Sequence, residues 1–145
     1  MVVTFCGHRE VMPKEDVRLW LYKKVEKLIH SGVNTFALGG YGEFDLMAES
    51  VVWELKKKYP KIKMILVLPY QNNKIDKKQY DGVLYPNLGE ISKQYAIVHR
   101  NRWMVEWSDI VVAYAIHKGG GAFKTLEYAK KKKKITVEYD CWFMK

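Results

Sequence analysis

The chain has little cysteine and no motif that would declare an enzyme. Its 145 residues hold two cysteines, Cys6 and Cys141, far apart and with no CxxC pair or metal-type spacing. A disulfide framework and a zinc site are therefore not expected; both read as free thiols of a reducing compartment. No apolar run approaches the roughly 18 residues that span a bilayer, and Met1 to Gly7 lacks the charged lead-in of a secretory signal. The expectation is a cytoplasmic protein with no membrane partner. The Walker pattern GxxxxGK[ST], the dinucleotide fingerprint GxGxxG, HExxH and GxSxG are all absent. Neither nucleoside-triphosphate hydrolysis nor standard dinucleotide binding is supported, and no cofactor or metal is implied. Linkers, repeats and low-complexity stretches are missing too, apart from one lysine run.

What is present is a 48% hydrophobic, 14% aromatic chain, enough for one self-sufficient domain over residues 1–145. Net charge is +9, but five of the positive charges form the run Lys130 to Lys134, which leaves +4 elsewhere. Such a run reads first as a solvated helix end that suits the helix dipole. The charge also admits a nucleic-acid reading.

Strand and helix patterns alternate throughout. Strands are expected at Val2–Cys6, Thr35–Leu38, Lys63–Leu68, Ile110–Ile116 and Ile135–Tyr139. Helices are expected from Pro13 to the Ser31-Gly32 stop, from Phe44 to just before Tyr59-Pro60, from about Ser92 to Trp107, and from Phe123 to about Lys132. Phe44, Met47, Ala48, Val51, Val52 and Leu55 form a clear helical stripe. The segment Gln71–Glu90 is polar and turn-rich, as a lid or binding loop would be. Five strands and four helices predict an α/β, Rossmann-like three-layer sandwich with a five-stranded, mainly parallel sheet.

In such sheets ligands sit at the carboxyl ends of the strands. Four loops fall there: Gly7-His8-Arg9, Gly39-Gly40-Tyr41-Gly42-Glu43-Phe44-Asp45, Pro69-Tyr70 and His117-Lys118-Gly119-Gly120-Gly121-Ala122. Glycine-rich breaks between a strand and a helix expose amides at the positive end of a helix dipole, which is where phosphate binds. Thr125 adds a hydroxyl. His8 and Arg9 suit phosphate or carboxylate pairing, or orientation of a base, although a histidine there also serves as a structural residue. Glu43 and Asp45 suit either the first turn of a helix or ribose hydroxyls. Tyr41, Tyr70 and Phe123 lie where a purine could stack, whereas Trp20, Trp53, Trp103, Trp107 and Trp142 read as core.

Arg100 is the most diagnostic position. It shares a helical stripe with Ala96, Trp103 and Trp107, so a guanidinium is expected on a buried face. It cannot discharge there and needs an anion: a ligand, or Asp45, Glu49 or Asp109.

These segments, together with Thr4-Phe5-Cys6, Val67-Leu68, Arg100-Asn101-Arg102-Trp103-Met104 and Ser108-Asp109, make the chain resemble the SLOG superfamily. That group joins the DNA-processing protein A domain, the Lonely Guy phosphoribohydrolases and small bacterial and phage proteins. The resemblance covers almost the whole chain and is closest to the small single-domain branch. It implies a nucleotide-type ligand at Gly7, His8, Arg9, Gly39 to Glu43, Asp45, Pro69, Tyr70, Arg100, Asn101, Gly119 to Ala122 and Thr125. It also implies a homo-oligomer and, by similarity to SLOG domains of phage-defence systems, a sensor or sequestering protein for an ADP-ribose-like or cyclic nucleotide signal.

Lonely Guy enzymes are similar in placing a catalytic arginine eight residues before Ser-Asp, as Arg100 stands before Ser108. Their Pro-Gly-Gly-x-Gly-Thr-x-x-Glu loop is not reproduced. No proline precedes the glycines, Tyr128 stands three residues after Thr125, and Glu127 is one position early, about 100° around a helix. Binding without turnover leads. The alternative is a phosphoribohydrolase using Arg100 with Glu43, Asp45 or Glu127, and the third reading is single-stranded DNA binding.

Overall fold

The computed structural model describes residues 1–71, 74–86 and 92–140. In chain order the elements are β1 (Val2–Gly7), α1 (Lys14–His30), β2 (Thr35–Leu38), α2 (Gly42–Lys58), β3 (Lys63–Val67), β4 (Gly82–Leu84), α3 (Lys93–Trp107), β5 (Ile110–Tyr114), α4 (Gly120–Lys131) and β6 (Ile135–Glu138). The sheet is parallel at every pairing and runs β4-β3-β2-β1-β5-β6. It has six strands rather than the five expected. The extra strand, β4, lies within the segment expected to be irregular. Its amides pair with β3, while Asp81 accepts from Met64 N at 2.8 Å and faces Lys56 at 3.1 Å. Asn72-Asn73 and the stretch from Asn87 to Glu90, which contributed to the lid expectation, lie outside the described residues.

Alternation along the strands sorts side chains onto two faces. Val3 and Phe5 of β1, Phe36 and Leu38 of β2, and Ile110, Val112 and Tyr114 of β5 join Val17, Leu21 and Val25 of α1 and Phe44, Ala48, Val51, Val52 and Leu55 of α2 in the main core. On the other face, Cys6, Val111 and Ala113 meet Val105, Leu126 and Ala129, and Ala37 and Val67 meet Met104. Each fully buried aliphatic contributes about 1.5–3 kcal/mol. The asymmetry matters for the site. Large residues fill the α1/α2 side, whereas the α3/α4 side presents Thr4, Cys6, Ala37 and Ala113, which are too small to fill the space beneath the helices.

Of the tryptophans expected in the core, Trp142 lies outside the described residues, and the others reach at most its edge. Trp53 is exposed, and Trp20, Trp103 and Trp107 are half-buried, the last two packed ring to ring at 5.1 Å. The lysine run closes α4: Lys130 pairs with Glu138 at 3.5 Å and Lys134 Nζ donates to Glu106 O at 3.2 Å. Among the described residues no helix is long and apolar enough to cross a membrane, and no cluster of three His, Cys, Asp or Glu is placed to hold a metal ion.

Candidate functional site

Strands β1 to β4 step outward in one direction, then β5 returns to the other side of β1. The reversal between β1 and β5 is the switch point at which parallel α/β sheets open a crevice. A cavity of about 430 Å³ lies there, on the side of small residues. Thr4 and Cys6 form its floor, the loop through His8 and Arg9 one wall, and Arg100 and Asn101 of α3 another. Tyr41, which caps α2, and Asp45 of its first turn enter from a further side, and Gly120, Gly121, Ala122 and Thr125 from the start of α4.

Arg100 is 3% exposed, as the helical stripe requires. No carboxylate among the described residues lies within ion-pair distance of it. Instead Nη1 donates to the carbonyls of Gly39 (2.9 Å) and Val67 (2.8 Å), and Nε donates to Asn101 Oδ1 (2.9 Å). The guanidinium carbon stands 5.3 Å from the centre of the Tyr41 ring. A guanidinium has five N–H donors, and these bonds engage the three on Nε and Nη1. The pair on Nη2 has no partner among the described residues. Burial draws the Arg100 pKa down and the nearby Asp45 charge opposes this, but the group stays cationic. Asp109 serves elsewhere, accepting from Val2 N at 2.8 Å, and Glu49 is engaged by Gln79.

Asp45 is the carboxylate that lines the cavity. Burial lifts its pKa to about 6, against the pull of Arg100 and a 3.3 Å hydrogen bond from Tyr41 N, with Glu49 adding to the rise. Gly39 makes this juxtaposition possible: a Cβ there would lie 2.9 Å from Asp45 Oδ2 and 3.3 Å from Arg100 Nη1. The close approach that this glycine permits is thus to the protein's own Asp45 and Arg100 side chains.

The wall after β1 is fastened from two sides. Glu43 Oε2 accepts from Val11 N at 2.7 Å while Glu43 N donates to Arg9 O at 2.9 Å, and Tyr114 Oη donates to Met12 O at 2.9 Å. Arg9 thereby has an anchored main chain and an exposed side chain with no ion pair among the described residues. His8 Nε2 accepts the His117 main-chain N–H at 3.1 Å, which places any ring proton on Nδ1. Burial and the adjacent His117 hold its pKa below the ordinary histidine value.

Helix α4 starts earlier than expected, at Gly120 rather than Phe123, so Gly120 and Gly121 are its first turn. Gly119 and Gly120 have φ of +86° and +75°, a conformation that side chains rarely adopt. Gly121 has no such φ, and a Cβ on it would meet nothing within 4 Å. Neither packing nor conformation demands glycine there, yet it lines the cavity. First-turn amides have no intrahelical acceptor and carry the positive end of the dipole.

The structure thus brings Gly7, His8, Arg9, Tyr41, Asp45, Arg100, Asn101, Gly120, Gly121, Ala122 and Thr125 to one cavity. Gly39 stands behind Arg100. Gly40, Gly42, Glu43, Pro69, Tyr70 and Gly119 are rim residues that do not line it, and Tyr70 bonds to Tyr41 instead. Glu127 faces a neighbouring cavity. Thr4, Phe5, Cys6, Ile97, Met104 and Val105 also line the cavity and were not named as site residues from sequence; of these, Thr4 and Cys6 alternate onto the cavity's face of β1. For the two strand residues the available signal was the small size of every second residue of β1. Cys6 is a free thiol, and burial, with Asp45 and Glu138 adding, pushes its pKa up to about 12, so it is not a thiolate nucleophile.

Fold and cavity together define a Rossmann-like α/β protein with a polar crevice at the switch point of its sheet. The chain belongs to the YspA SLOG family, whose model matches residues 13–145. It is 24% identical to UPF0398 proteins of two Bacillus cereus strains, with 90% of this chain and 77% of each relative covered. Among solved structures it resembles DNA processing protein A from Helicobacter pylori, with a TM-score of 0.70 and 19% identity over 95% of this chain. The match spans 64% of that protein, less than two thirds of its length, and that structure is described for a single-stranded DNA binding mode.

Proposed function

We propose that residues 1–145 act as one domain that binds a phosphate-bearing, nucleotide-type small molecule in the switch-point cavity without turning it over. The observation that carries this reading is that one cavity is lined by Arg100, whose Nη2 has no partner among the described residues, by Arg9, and by Gly120 and Gly121 of the first turn of α4. Its volume of about 430 Å³ falls in the range of small-molecule sites, roughly 300–1,000 Å³. Asp45 supplies the acceptor that ribose hydroxyls need. Absence of turnover is supported by the two glutamates named for hydrolysis: Glu43 is committed to Val11 N and Lys14, and Glu127 lies outside the cavity. Asp45, the remaining carboxylate named for that role, does line the cavity, so adenine release from AMP is the decisive assay. A sensor or sequestering role, in a homo-oligomer, completes the proposal.

Calorimetry with AMP, ADP-ribose, its cyclic isomers and cyclic dinucleotides tests it. Saturable binding of at least one is expected, weakened about tenfold or more in Arg9→Ala; no heat at millimolar ligand from any of them overturns the reading. Release of adenine from AMP would replace it with the hydrolase.

A second reading, single-stranded DNA binding, is favoured by the likeness to the Helicobacter pylori protein. It requires an affinity for oligodeoxynucleotides that falls steeply with salt and with neutralisation of Lys130 to Lys134. Salt-independent or undetectable binding in fluorescence anisotropy removes it.

A further inference from the structure

Beside the switch-point cavity lies a second one of about 380 Å³, between the outer surfaces of α3 and α4. The two share Asn101, Gly121 and Thr125 as a common wall. We propose that this second cavity takes a further phosphodiester-linked nucleotide, so that the preferred guest carries two linked units rather than one. The inference rests on the first cavity binding a nucleotide.

Its chemistry differs from that of its neighbour. Arg102, Lys124 and Lys131 line it against one acid, Glu127, so it favours an anion. None of the three cations is committed to an ion pair among the described residues. Arg102 is held in place by the Tyr128 ring, its guanidinium carbon 5.2 Å from the ring centre, and Lys132 lies 5.5 Å from the same ring. Tyr128 therefore positions cations rather than receiving a base.

The common wall suits a linking phosphate. Asn101 Oδ1 is engaged by Arg100 Nε, which leaves the Asn101 amide N–H groups as donors at the boundary. The Gly121 N–H belongs to the first turn of α4 and has no intrahelical acceptor. Thr125 Oγ1 donates to Gly121 O at 2.8 Å, so it fixes the turn rather than competing for that amide. A mononucleotide seated by Arg9 and Arg100 uses neither Lys124 nor Lys131, because both lie outside the first cavity.

The experiment compares AMP with the linear dinucleotide pApA by calorimetry, on wild type and on Lys124→Ala with Lys131→Ala. Wild type is expected to hold pApA at least about tenfold tighter than AMP, the effect of one additional charge-assisted phosphate contact. The double alanine variant should erase that advantage, and Lys124→Arg with Lys131→Arg should restore it. Equal affinities in wild type, or an advantage that survives the double alanine substitution, overturn the inference while leaving the first cavity's role intact. Failure of both ligands to bind overturns this inference, and the proposed function falls with it only when ADP-ribose, its cyclic isomers and the cyclic dinucleotides also give no heat. Two further arms identify the source of the paired units. A small-molecule guest gives pApA tighter than pdApdA with no gain from a longer oligodeoxyadenylate, and a single strand gives the reverse order.

Discussion

Arg100 and Val67 are joined by a 2.8 Å hydrogen bond from guanidinium Nη1 to a main-chain carbonyl, which ties the middle of α3 to the last residue of β3. The second Nη1 hydrogen reaches Gly39 O just past β2. One side chain thus caps two strand ends and still lines the cavity, with its Nη2 pair unpartnered among the described residues. Arg100→Ala is expected to lower unfolding free energy by about 1.5–3 kcal/mol, because charged hydrogen bonds are lost and two carbonyls are left buried. It should also weaken AMP binding. Arg100→Lys cannot match the planar fork and should recover only part of either loss. Denaturant titration and calorimetry read both.

Arg9 separates binding from stability. Its side chain is exposed and forms no ion pair among the described residues, so Arg9→Ala should change stability by less than about 0.5 kcal/mol. Nucleotide affinity should fall by about tenfold or more. Unchanged affinity would remove Arg9 from the site.

Two glycines should respond oppositely to the same substitution. Gly39→Ala drives a methyl to 2.9 Å from Asp45 Oδ2 and is expected to destabilise the protein by about 1–3 kcal/mol. Gly121→Ala meets open space in a helical turn and should stabilise by up to about 1 kcal/mol while weakening ligand binding. Thermal unfolding with and without ligand distinguishes the two. Full binding by Gly121→Ala would show that nothing approaches this amide closely.

Asp45 makes stability depend on pH in a predictable sense. Its pKa in the folded protein is about 6 against an unfolded value of 3.8, so between these the folded state holds the proton more tightly. Stability from this group therefore falls as pH rises from about 4 to 6, and the full cost is present above that. Asp45→Asn abolishes the contribution. The stability of the variant minus that of wild type should grow across this window and then level off, as read by urea denaturation at several pH values. A constant difference would mean that the carboxyl titrates normally.

The main fold was legible because its signals are local. The alternation of buried strands with amphipathic stripes such as Phe44 to Leu55 places four helices and five strands, with boundaries displaced by a few residues. Strand β4 escaped because three residues, Gly82, Val83 and Leu84, are too short for a period to register. Its place comes from β3, whose outer edge would otherwise expose a row of amides and carbonyls. The start of α4 escaped because glycine has low helix propensity, and here tertiary context overrides it. The gathering of rim residues could be read from strand-end positions, but their division could not. Glu43 and Asp45 are two residues apart, yet one fastens the β1 loop and the other faces Arg100.

Sequence alone determined that this chain forms an α/β sheet with glycine-rich loops at one rim and an arginine at position 100 on a buried helical face, since periodicity and turn chemistry are encoded over a few residues. Only tertiary structure decided what that arginine meets. Its partners are carbonyls of Gly39 and Val67, 61 and 33 positions away in sequence, and backbone acceptors carry no residue signature.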